Sequence, residues 1–174
     1  LFTEVETSCG DIENISRSQC LVMFVTSFEA FLKDLFRVVL MNKPSMLKAV
    51  LRRIDSKWSS MDLVNIMNKP EIIVELLIDK QNLNFQNIDS LKRSLEFLGI
   101  NLEDECADAA NETVEYLAQK YRADSDIKID GIELLTEVFV IRHQIVHEGK
   151  VCPSDDFNIN MIMLFMQNLV SALV

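Results

Sequence analysis

Ile132-Glu-Leu-Leu-Thr-Glu-Val-Phe-Val-Ile-Arg-His-Gln-Ile-Val-His-Glu-Gly149 is the stretch that decides the fold. At about 100° per residue, Leu134, Val138, Ile141 and Ile145 fall in one apolar row, and Leu135, Phe139 and Val146 fall in the next. That pattern predicts a helix over 132–148, stopped by Gly149, after a turn at Asp130-Gly131. So wide an apolar face has to be buried against other elements, and the rest of the chain supplies helices. Gly and Pro number only 4 and 3 in 174 residues. The long Leu/Ile/Val/Met/Phe patterns lack the closely spaced turn clusters of a β protein. The expected class is all-α, an up-and-down helical bundle with extra short helices.

Working outward, residues 1–12 read as a flexible, polar lead-in, and 13–174 as a single helical domain. A long helix is expected from about Ile15 to Met41, with Leu21, Phe24, Phe28, Phe31, Leu32, Leu35 and Val39 on its apolar face. Asn42-Lys-Pro44 ends it. Short helices are expected at about 45–54, 61–67 and 70–79. Asn87 or Asp89 is placed to cap a helix that stops at Gly99. An acid-rich start suits a helix over 104–121, and Ser154 or Asp155 begins a last helix to about Ala172. The first, motif and last helices are the expected frame, with the short middle helices added to it. The methionines, Met23, Met161, Met163 and Met166 among them, read as adaptable core packing.

Composition narrows the function. Nearly half the residues are hydrophobic, which excludes a disordered chain. No apolar run approaches the roughly 20 residues of a membrane span, and no signal peptide opens the sequence. Leu1 at the start is what a fragment or processed chain would show. Cys9, Cys20, Cys106 and Cys152 have no metal-ligand spacing and there are two histidines, so neither a zinc site nor any other cofactor is expected, and a reduced cytoplasmic setting is. The net charge of −10 opposes a polyanion over most of the surface. The charge is uneven, however. Residues 33–57 carry seven basic side chains against Asp34 and Asp55. Lys33, Arg37, Lys48, Arg52 and Arg53 are therefore candidates for contacting RNA phosphates, with a solvated helix face as the plain alternative.

The motif helix concentrates the chemistry. Both histidines of the chain, His143 and His147, lie in it beside Arg142. Imidazoles move protons near neutral pH, and a guanidinium grips phosphate. Arg142 falls between the two apolar rows, where an unpaired guanidinium costs several kcal/mol or more. It therefore requires a carboxylate, carbonyls, a phosphate or a second subunit. Glu29, at the shoulder of the first helix's apolar face, is a candidate partner if the two helices pack antiparallel. A purely structural ion pair is the competing reading. Arg142 and His147 point about 140° apart on a regular helix. One phosphate meets both if the helix ends at His147 or if two subunits share the site.

The segment Arg142-His-Gln-Ile-Val-His147 resembles the R-x4-6-H motif of HEPN domains (higher eukaryotes and prokaryotes nucleotide-binding). With Ser27-Phe-Glu-Ala-Phe-Leu-Lys-Asp-Leu35 it looks most like their nuclease-like branch, related to RiboL-PSP. The resemblance spans most of residues 15–172, and the motif is its distinctive part. It implies a homodimer with two motifs in one cleft and metal-independent cleavage of RNA by 2′-hydroxyl attack. It implies His147 as general acid/base and Arg142 as the stabiliser of phosphorane charge, with His143 and Glu29 in support. A toxin or antiviral effector, with an antitoxin or other regulatory protein as partner, is the setting that follows. Two positions depart from the family pattern: His143 stands where an Asn is common, and Gly149 stands where the nucleotidylated toxins carry Tyr. The alternatives are a non-catalytic HEPN module that dimerises or binds a nucleotide or protein, and an unrelated helical adaptor.

Overall fold

The computed structural model describes residues 2–47, 61, 64, 72, 74, 75, 85, 87–121, 128–151 and 159–174. The described residues contain helices and no strand. Five helices are delimited: α1 (Phe2–Asn42), α2 (Ile88–Phe97), α3 (Leu102–Tyr121), α4 (Gly131–Glu148) and α5 (Ile159–Ala172). The protein is an all-α helical bundle. None of the described helices is long and apolar enough to cross a membrane. The chain divides into two compact units, one of residues 1–28 and 102–174, the other of residues 29–101.

α1 starts at Phe2, well before the expected Ile15. Nothing in residues 2–14 breaks a helix: there is no Pro, and Gly10 costs only about 1 kcal/mol relative to Ala. Its buried row is Leu21, Val25, Phe28, Leu32, Phe36 and Leu40, each at most 3% exposed. Phe24, Phe31, Leu35 and Val39, expected on the core face, are only half-buried. The apolar arc of α1 is wide enough to hold both rows, and packing, not periodicity, selects between them. Met23 and Met41 stand in solvent, 70% and 57% exposed, so Met23 is not the packing residue expected.

In the first unit α3 is the common neighbour of α4 and α5. Ala109, Ala110 and Thr113 are buried along it and let the neighbouring backbones come close. Asn168 of α5 donates to Thr113 Oγ1 at 3.1 Å, and that hydroxyl donates to Ala109 O at 2.7 Å. Tyr116, Lys120 and Tyr121 line one cavity with Asn160, Met161 and Gln167. Later residues of α3 thus meet earlier ones of α5, so these two helices run antiparallel. Ile162, Phe165, Met166 and Leu169 seat α5 in the core, while Met161 and Met163 stay half-buried at the cavity wall.

α4 begins where it meets α3. A Cβ on Gly131 would lie 2.1 Å from the Cys106 carbonyl oxygen, so only glycine permits this approach. Asp130 caps the helix, its Oδ1 accepting from Glu133 N at 3.0 Å. The pair expected as a turn is the first step of α4.

In the second unit Leu32, Phe36 and Leu40 are buried with Val74, Phe85, Leu91, Leu95 and Leu98. Phe36 and Phe85 form a tilted ring pair 5.7 Å apart. Asn87 is the cap of α2, its side chain accepting from Ser90 N at 3.0 Å. Gly99 turns the chain at φ +77°. α1 stops at Asn42 as expected, and residues 44–47 resume a helical turn. The short helices expected at 45–54, 61–67 and 70–79 fall largely outside the described residues, as does the start of α5 at Ser154 or Asp155.

Candidate functional site

The motif occupies the last turns of α4. Leu134, Leu135, Val138, Phe139 and Ile141 are buried and fix the helix in the first unit. Beyond Ile141 that burial fades: Ile145 is half-buried and Val146 is 46% exposed. Gly149 then takes φ 66° and ψ 20°, and the cap N–H returns to Gln144 O. This left-handed cap ends the helix right after the motif.

Arg142 is half-buried, with its Nε out of solvent contact. His143 and His147 are both exposed. Their spacing of four puts them on one flank, and the two rings lie 4.6 Å apart between centroids at an interplanar angle of 41°. A guanidinium held against the protein and two imidazoles open to solvent thus occupy one helix end. Val140 and Val146 add exposed apolar surface on the same part of α4. Glu148 turns to Lys150, 2.8 Å away. That contact first, and His143 after it, hold its carboxyl below the usual carboxylate range.

Glu29 lies in the second unit, 9% exposed, with Oε1 shielded from solvent. Lys33 is exposed there. Arg37 is already engaged: its Nε and Nη2 meet the two oxygens of Glu75 at 2.5 and 3.0 Å, and Nη1 meets Asp34. Glu75 first, then Asp34, stabilise its charged form, and Arg37 in turn lowers the Glu75 pKa. Of the five basic candidates, Arg37 is thus neutralised locally, and Lys48, Arg52 and Arg53 lie outside the described residues. Among the described residues no group of three or more His, Cys, Asp or Glu is arranged to hold a metal ion.

No family model, curated protein or solved structure matches the chain.

Sequence reasoning located the helix end and its three polar side chains but missed two features. The ring contact between His143 and His147 was available from their spacing. The Arg37–Glu75 pair was not, because its members are 38 residues apart. Elsewhere in the first unit, Cys106 is buried and its thiol is pushed up to about 12, by burial first and then by Asp130 and Glu105. It is thereby unsuited to nucleophilic work.

Proposed function

We propose that the chain is a metal-independent endoribonuclease of HEPN type, acting as a homodimer in the cytoplasm, in the manner of a toxin or antiviral effector. The observation that carries this reading is the end of α4, where a half-buried guanidinium and two exposed imidazoles lie within six residues. In the reaction the ribose 2′-oxygen bonds to the adjacent phosphorus and the bond from phosphorus to the 5′-oxygen breaks. The products are a cyclic phosphate and a 5′-hydroxyl. His147 carries the proton taken from the 2′-hydroxyl or given to the 5′-oxygen. Arg142 supplies fixed positive charge to the phosphorane, and His143 supports them.

A second copy enters because Arg142 and His147 point about 140° apart around α4. A cleft shared by two chains brings Arg142 and His147 from different copies onto one phosphate. The exposed Val140 and Val146 give such a seam apolar surface. Lys33 is the described basic candidate left for the RNA backbone, and an antitoxin or regulatory protein is the expected further partner.

The net charge of −10 and the engagement of Arg37 by Glu75 favour a second reading, a non-catalytic HEPN module that dimerises or binds a nucleotide or protein partner. Incubation with single-stranded RNA in EDTA decides between them. The ribonuclease cleaves, and His147→Ala stops cleavage while the circular dichroism spectrum stays helical. The module leaves the RNA intact and still dimerises.

A further inference from the structure

His143 and His147 have a capacity that RNA cleavage does not use. Spacing of four on a helix brings their Cβ atoms to within about 5–6 Å, and both rings are exposed. An imidazole bound through nitrogen at about 2.0–2.1 Å has its centroid about 3.2 Å from the ion, so two imidazoles sharing one ion at roughly 90–110° have centroids about 4.5–5.2 Å apart. The rings of His143 and His147 lie 4.6 Å apart, inside that interval. They also sit in the last turns of α4, where the negative end of the helix dipole favours a cation.

We propose that His143 and His147 chelate one divalent transition-metal ion of the zinc, nickel or copper class, and that this ion shuts off the cleavage proposed above. The chelate stands on geometry alone, whereas the inhibition rests on the ribonuclease reading. Imidazole ligands suit these metals, while magnesium and calcium prefer oxygen. Glu148 is held by Lys150 at 2.8 Å, so water fills the remaining coordination positions. An imidazole nitrogen that binds the ion has committed the lone pair with which it would accept a proton. His147 then stops carrying protons while the ion is bound, and magnesium leaves it active.

Calorimetric titration of the whole chain with zinc chloride or nickel chloride tests the chelate apart from activity. A Cys9→Ser, Cys20→Ser, Cys152→Ser background keeps thiols from competing. The expected result is one ion per chain and no magnesium binding. Loss of a partner one step removed from a metal already costs about 10–100-fold in affinity, so His143→Ala, His143→Gln and His147→Ala should each weaken binding by at least about tenfold. Binding of equal strength in all four proteins, or none in the parent, overturns the chelate. If both histidines are needed for the ion but RNA stays intact in EDTA, the chelate stands and the ribonuclease reading fails. If RNA is cleaved in EDTA and saturating zinc leaves the rate unchanged, the inhibition is overturned.

Discussion

The imidazoles of His143 and His147 stand 4.6 Å apart between ring centroids, four residues apart on the exposed flank of α4. Arg142, next in sequence to the first of them, instead keeps its Nε out of solvent. The same helix end thus holds one cationic group against the protein and presents two imidazoles outward.

If Arg142 holds phosphorane charge, its planar fork matters as much as its charge. Arg142→Lys keeps the charge but loses the two-pronged grip. Cleavage should fall by about 10²-fold or more, in the range seen for loss of one charge-stabilising donor. A single-turnover RNA assay measures this. A lysine variant with full activity would reduce Arg142 to a structural residue.

A site shared by two chains predicts complementation. Arg142→Ala and His147→Ala proteins should each be inactive. Mixed under conditions that exchange subunits, they should regain part of the activity, because each dimer with one chain of either kind contains one intact pair. Recovery no greater than the sum of the separate proteins would place both residues of each site in a single chain.

Gly131→Ala tests how α4 is seated on α3. The new Cβ would meet the Cys106 carbonyl oxygen at 2.1 Å, and a backbone atom cannot step aside as a side-chain tip can. The expected loss is about 1–3 kcal/mol, typical of overpacking, read from urea unfolding. Gly149→Ala meets open space and is strained only by its φ of 66°, so it should cost about 1 kcal/mol.

Cys106 makes stability depend on alkaline pH. Its folded pKa lies near 12 against an ordinary value of 9.0. Between these values the unfolded chain has lost a proton that the folded chain keeps. Stability from this group is therefore complete below pH 9 and declines toward pH 12, with a limiting slope of about 1.4 kcal/mol per pH unit. Cys106→Ala should flatten that part of the curve in unfolding experiments at pH 8–10.5. An unchanged slope would assign the alkaline loss to other groups.

The helix α4 was legible because its signals are local. The apolar rows from Leu134 to Ile141, the stop at Gly149 and the polar trio of Arg142, His143 and His147 all follow from spacing along one helix. α1 was legible as a helix but not in its buried face: Val25 and Phe36 are in the core, while Phe24 and Leu35 lie beside it. Both rows are apolar, and only the neighbours decide which turns inward. Non-local pairs stayed hidden for the same reason. Nothing near Arg37 announces Glu75, and nothing near Gly131 announces Cys106. Asp130-Gly131 has the composition of a turn, yet the cap geometry and the close approach to α3 make it a helix start.

The most direct measurement is the chemistry of the RNA ends left in EDTA by the wild-type chain and by His147→Ala. The wild type should leave 2′,3′-cyclic phosphate and 5′-hydroxyl ends, and His147→Ala should cleave slower by about 10²–10⁴-fold while remaining helical. Intact RNA with the wild type, 5′-phosphate ends, or equal cleavage by the two proteins would contradict a ribonuclease site at Arg142 and His147.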